Sequence, residues 1–236
     1  MPVTFEGVRT RQSRLPAAAR RAAMELAAFL YREESYRRLV ARFLAQFHSL
    51  SNYRRWVEAG RPLLVPSRRA RAQRATAVQL LDRLYRQATA TPRSPEAAER
   101  LLGRLRGLVL EELVGLLVAG RYPAPELFAR DARVIIAGQP VRNGSRQTID
   151  VAGWRPTAAT GEFYEVKIFP GFLQDPGVLG YLEELRAQLG PVPVIGAITF
   201  HYRATLELLL PLADHPGLTF FALEDLADIS RGPRFS

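Results

Sequence analysis

The chain has 236 residues, 47% hydrophobic and 24% charged, with a net charge of +10; that is the balance of a soluble globular protein able to bury a core in one large domain or two small ones. No apolar run approaches the roughly 18 residues of a membrane span, and the first residues lack the basic-then-apolar order of a signal peptide, so a cytoplasmic location with no membrane partner is expected. The absence of cysteine excludes disulfides, thiolate zinc sites and a cysteine nucleophile, and three scattered histidines, His48, His201 and His215, leave a bound metal to be a hard cation held by oxygen.

In chain order, residues 12–48 predict a helix. Apolar positions such as Met24, Leu26, Phe29, Leu30, Val40, Phe43, Leu44 and Phe47 recur at spacings of three and four, with arginines on much of the other face. A break at Ser49–Asn52 precedes a short helix with Tyr53, Trp56 and Val57 that ends near Gly60. Residues 61–67 hold two prolines and read as a loop; 70–88 return to helical period. Thr91-Pro92-Arg93-Ser94-Pro95 is the clearest boundary, with Ser94 as cap and Pro95 at the first position of a helix running to about Gly120.

After Gly120 the period changes to two. Strands are expected over 133–141, 147–154 and 161–169, with Asn143-Gly144 as a hairpin turn. A helix over 177–189, a buried apolar strand over 192–202, a helix over 205–213 and a short strand over 218–223 complete the series. The expected organisation is a basic helical domain, residues 1–93, followed by an α/β domain, residues 94–236.

Charge is divided unevenly. Residues 1–100 carry a net +12 and residues 101–236 a net −2. A polycationic module suits a polyanionic partner, most simply nucleic acid; solvated arginine faces are the plain alternative. Arg68, Arg69, Arg71 and Arg74 cluster at a helix start, where positive charge opposes the helix dipole, so they are candidates for phosphate contacts, as are Arg142 and Arg146 beside the hairpin. Of the 33 basic residues a single one, Lys167, is lysine. Lysine is a compact point charge with a movable pKa, which guanidinium is not.

The chemistry gathers around that lysine. Glu165 and Lys167 are two apart in an expected strand and so share one face. Asp150, in the preceding strand, comes close to Glu165 if the two strands pair across residues 155–161. Ionisable groups among Ile149, Val151, Phe163, Val166 and Ile168 cost free energy unless they pair or bind an ion. A divalent cation between two carboxylates, with a lysine beside it, is a kit for phosphodiester hydrolysis; an ion cluster on an exposed sheet face is the alternative.

Ile149-Asp150, fourteen residues, then Glu165-Val166-Lys167, on adjacent strands behind the acidic helix segment Leu110-Glu111-Glu112, resembles the signature of the PD-(D/E)XK nuclease superfamily, with Ile149 where the motif has proline. The resemblance covers roughly residues 95–205 and is nearest to the Holliday-junction-resolvase and Mrr-type core. It implies a restriction-endonuclease-like αβββαβ core with a mixed sheet, preceded by the all-α arginine-rich domain. It also implies a divalent-metal-dependent nuclease acting on DNA, with a homodimer as a further expectation. Asp150, Glu165 and the Val166 carbonyl would ligate Mg²⁺ or Mn²⁺, joined by Glu111, with Glu112 its rival. Lys167 would position or activate the attacking water. A catalytically silent nucleic-acid-binding or assembly protein with this fold is the rival function. Among other residues, Gln147 is expected on the face away from Asp150, Tyr181 and Glu184 within reach of the site, and His201 in a structural role.

Overall fold

The computed structural model describes residues 2–7, 15–63, 69–90, 94–210 and 214–232, apart from the side chains at 69, 70 and 172. The chain forms two compact units, one of residues 11–113 and the other of residues 1–10 and 114–236. The boundary expected at Thr91–Pro95 thus lies inside the first unit, and the N-terminal residues belong to the second.

The first unit is helical: α1 (Ala17–Arg32), α2 (Glu34–Gln46), α3 (Leu50–Glu58), α4 (Arg74–Ala90) and the start of α5 (Pro95–Ala119). The helix expected over 12–48 is two helices. Glu33, at φ −101° and ψ 79°, breaks it. Neither glycine nor proline marks the break, and both halves continue an apolar stripe, Leu26, Phe29 and Leu30 before it and Tyr36, Val40 and Leu44 after. Ser49 caps α3 by accepting from Asn52 N–H, and Ser94 caps α5 by accepting from Ala97 N–H, each at 3.2 Å. The core is aromatic: Phe43 stacks on Phe47 at 3.9 Å and Tyr53 on Tyr85 at 4.6 Å, with Trp56 edge-on to Phe43. Arg106 is buried here and donates to the carbonyls of Leu44 and Ala45 in the last turn of α2, satisfying acceptors that the helix end leaves open. This arginine serves the fold and not a partner.

The second unit is α/β. Its seven-stranded mixed sheet is built from β1 (Val3–Gly7), β2 (Phe128–Ile136), β3 (Gln139–Pro140), β4 (Ile149–Arg155), β5 (Thr160–Lys167), β6 (Val194–Thr199) and β7 (Thr219–Phe221). The order is β1-β2-β4-β5-β6-β7, with β3 paired to β2. Strands β1 to β5 pair antiparallel, and β6 and β7 join in parallel. The parallel connections carry α6 (Pro176–Leu189) and α7 (Arg203–Leu209), and α8 (Leu226–Arg231) follows β7, as parallel crossovers require. Two expectations are corrected. Residues 3–7 add an edge strand that short range cannot reveal, since their partners are Ala132–Ile136. The strand expected over 133–141 begins at Phe128 and ends in a two-residue hairpin at Ala137 and Gly138, both at positive φ (50° and 80°). The core joins Phe163, Ile195 and Ala197 of the sheet to Val178, Tyr181, Leu182 and Leu185 of α6. No described helix is long and apolar enough to cross a membrane.

Candidate metal centre

The centre forms where two paired strands part. The β4–β5 ladder runs from Arg155↔Thr160 to Val151↔Tyr164 and stops, while β5 continues beside β6 to Lys167↔Thr199. Past the last pair, Asp150 Oδ2 accepts the Val166 N–H at 2.8 Å. The carboxylate thus replaces the ladder partner that β4 no longer supplies. Lys167 Nζ lies 3.4 Å from the same oxygen and also pairs with Glu165 Oε1. The three residues singled out in the sequence are therefore one contact cluster. What Val166 contributes in it is its amide, held by Asp150.

Arg146 joins the cluster. Its guanidinium pairs with the same Glu165 Oε1 that Lys167 holds. It is set there by the Asn143–Arg146 turn, which closes with reciprocal backbone hydrogen bonds of 3.0 and 2.9 Å and a positive φ at Gly144. The turn sits close on α6, where a Cβ at Gly180 would overlap the Asn143 amide.

Glu165 is fully buried, and its second oxygen, Oε2, has no hydrogen-bond partner. Buried carboxylate oxygens are normally satisfied, and an orphan points to an unmade contact. Burial, then the charge of Asp150, push the Glu165 carboxyl up to about 7, against the opposing pull of Lys167 and Arg146. Burial works against the charge on Lys167, but Asp150 and Glu165 outweigh it and hold its pKa above the usual lysine value. Lys167 therefore stays an ammonium in this setting.

A further carboxylate, which sequence reasoning missed, completes the neighbourhood. Carboxylate oxygens of Asp131 and Asp150 lie within 4.8 Å of each other. Glu111 and Glu112 lie on α5 in the helical unit. Asp131 lies in β2 between the pairs Arg130↔Val151 and Ala132↔Ile149, so its register partner is Asp150. Its φ of +48° is a left-handed conformation inside a strand, and side chains adopt that region rarely, Asp and Asn being the more tolerant.

The other candidates fall apart from this cluster or outside it. Arg142 is exposed. Arg68 lies outside the described residues, as does the side chain of Arg69. Arg71 and Arg74, with Gly60, Arg61, Ala75 and Val78, line an open cavity of about 310 Å³ in the helical unit; Arg61 is held by Asp82 at 3.1 Å. Tyr181 is buried, and its hydroxyl feels both Arg146 and Glu165 while burial raises its pKa. Glu184 instead accepts from Gln188 at 2.6 Å. His201 packs edge-on against Phe169 at 5.2 Å, and Gln147 is half-buried just before β4.

On the opposite face of β5 a second buried carboxylate, Glu162, is fully engaged. Arg121 donates to both its oxygens, at 2.8 and 2.6 Å, and the hydroxyls of Tyr122 and Tyr164 add one bond each at 3.0 Å. Arg121 also donates to the carbonyls of Leu117 and Ile229, tying α5 and α8 to the sheet.

No protein-family model and no curated protein matches this chain. Among solved structures it is similar to protein VC1899 from Vibrio cholerae, with a TM-score of 0.44 and 16% identity over 97% of this chain and 57% of that one. The chain thus spans a little over half the length of that protein. A likeness of that degree carries nothing about activity.

Proposed function

We propose that this protein is a divalent-metal-dependent nuclease with a restriction-endonuclease-like core, cutting phosphodiester bonds of DNA. The observation that carries the reading is Glu165 Oε2, a wholly buried carboxylate oxygen without a partner beside Asp150 and Lys167. The donor set fits a hard cation, since it offers carboxylate oxygens and no sulfur or imidazole. Asp150 and Glu165 would hold Mg²⁺ or Mn²⁺. When bound, such an ion supplies Lewis-acid stabilisation of phosphate charge and a more acidic water.

The protein's own groups do the rest. Asp150 is fixed by the Val166 amide, which sets the direction of its carboxylate. Lys167, held as an ammonium, cannot accept a proton; it serves as a donor that orients water or phosphate oxygen and offsets charge developing in the transition state. Arg146 is a second cation at the same carboxylate and would be the guanidinium to engage a phosphate oxygen. The arginine excess of the helical unit supplies the sequence-independent attraction to a polyanion.

The test is cleavage of plasmid, linear duplex, single-stranded and branched DNA with Mg²⁺ or Mn²⁺ and with chelator. Metal-dependent cutting lost in Lys167→Ala and Asp150→Asn supports the reading. A wild type that binds every DNA and cuts none with either metal sinks it and leaves a nucleic-acid-binding protein.

A further inference from the structure

We infer that the arginine-lined cavity of the helical unit binds a terminal phosphate, a phosphomonoester carried on a nucleoside. The group comes from a free nucleotide or from the end of a DNA strand. The inference stands apart from the metal centre, since every lining residue falls between Gly60 and Val78.

The cavity is built by a helix end and a helix start. α3 ends at Glu58, and Gly60 and Arg61 follow at φ 77° and 55°. Their amides are spent on the helix end, Gly60 N–H on the Val57 carbonyl and Arg61 N–H on that of Trp56. The left-handed region is ordinary for glycine and costly for arginine. The Arg61 side chain reaches α4, where Asp82 Oδ1 accepts from its Nε and Nη2 at 3.2 and 3.1 Å. Arg71 comes from the 3-10 turn Arg69–Gln73 and Arg74 from the first position of α4. Arg74 Nε donates to the Leu63 carbonyl at 3.2 Å, so two of the three guanidiniums are oriented by the protein itself.

Charge selects the ligand. Asp82 compensates Arg61 only in part, because Arg86 holds its other oxygen at 2.7 Å. Arg71 and Arg74 form no ion pair among the described residues. The first turn of α4 holds no acidic residue, so both cations stand where the helix dipole already favours an anion. Two uncompensated charges match a phosphomonoester, which carries about −1.5 to −2 at neutral pH, better than a backbone diester with one. Guanidinium also binds phosphate through paired hydrogen bonds, which an ammonium cannot do. Size agrees with charge. At about 310 Å³ the cavity exceeds a bare phosphate and sits at the small end of ligand pockets, which span roughly 300–1,000 Å³. Ala75 and Val78 add an apolar side for a sugar. A strand end or a nucleotide enters such a space, and a duplex does not.

Isothermal titration of the full chain in chelator, which silences the metal centre, tests this. The probes are dAMP, deoxyadenosine, and one short single strand carrying a 5′-phosphate, a 3′-phosphate or neither. Wild type is expected to prefer dAMP to deoxyadenosine, or a phosphorylated strand to the unphosphorylated one, by about tenfold or more. Arg71→Ala and Arg74→Ala should each lose most of that preference. Arg54→Ala removes an equal charge from an exposed position on α3 and should keep it. The readout is a ratio within one protein, so a partly unfolded variant does not mimic the loss. A preference shown by dAMP and by neither strand assigns the site to a free nucleotide, and one confined to strands assigns it to a DNA end. No preference with any probe overturns the inference. So does a preference that survives in both Arg71→Ala and Arg74→Ala, or one that Arg54→Ala lowers as much as they do. Each of these results leaves metal-dependent cleavage to its own test.

Discussion

Glu162 and Glu165 lie three residues apart on β5, both fully buried, yet their surroundings differ in kind. Glu162 receives donors on both oxygens from Arg121, Tyr122 and Tyr164. Glu165 shares one oxygen between two cations and leaves the other bare. Desolvating a carboxylate is costly unless hydrogen bonds replace water. At Glu162 the protein supplies the whole replacement, so the group belongs to the fold. At Glu165 the replacement is partial, and Oε2 is left without a hydrogen-bond partner.

The largest effect expected from breaking this contrast is on stability at Glu162. Glu162→Ala strands the largely buried Arg121 guanidinium, and loss of one member of such a pair costs about 3–5 kcal/mol. Urea denaturation should show that loss, whereas Lys167→Ala should lower the midpoint far less. In activity the order reverses: Lys167→Ala should cut the cleavage rate by about 10²–10³, measured in single turnover at saturating metal.

The raised Glu165 carboxyl predicts a proton-linked metal site. Its folded value, about 7, lies above its ordinary value of 4.5. In metal-free protein the group's contribution to stability is therefore full below about 4.5 and is lost as pH rises through 7. Metal and proton compete for the same carboxylate, so Mn²⁺ affinity should rise about tenfold per pH unit below 7 and level off above it. Isothermal titration at three pH values checks this, and a flat profile would contradict it. The smallest effects belong to the helical unit. Arg71→Ala and Arg74→Ala should each weaken binding to all DNA sequences alike and lower the salt slope by about 1.

The sequence made part of this site legible. Glu165 and Lys167 are readable as a pair because strand period is two, and Asp150 follows from the turn between the strands. Asp131 was not readable, because nothing in residue identity announces a φ of +48° within a strand. Arg146 reads as a loop cation until the Asn143 turn carries it onto Glu165. Glu162 passes unnoticed because its partners Arg121 and Tyr122 are about forty residues away. β1 escapes for the same reason, its ladder joining residues 3–7 to residues 132–136. The break at Glu33 is hidden by a continuous apolar stripe. Local period is written in the sequence; pairing across long separations and single-residue backbone departures are not.

The most direct test sets the two glutamates against each other in one assay, comparing Glu165→Gln and Glu162→Gln for melting temperature and for Mg²⁺-dependent DNA cleavage. Glu165→Gln is expected to fold with a melting temperature near that of wild type and to cut no DNA, while Glu162→Gln is expected to melt well below wild type and still cut at low temperature. A Glu165→Gln protein that cuts DNA at the wild-type rate would contradict it.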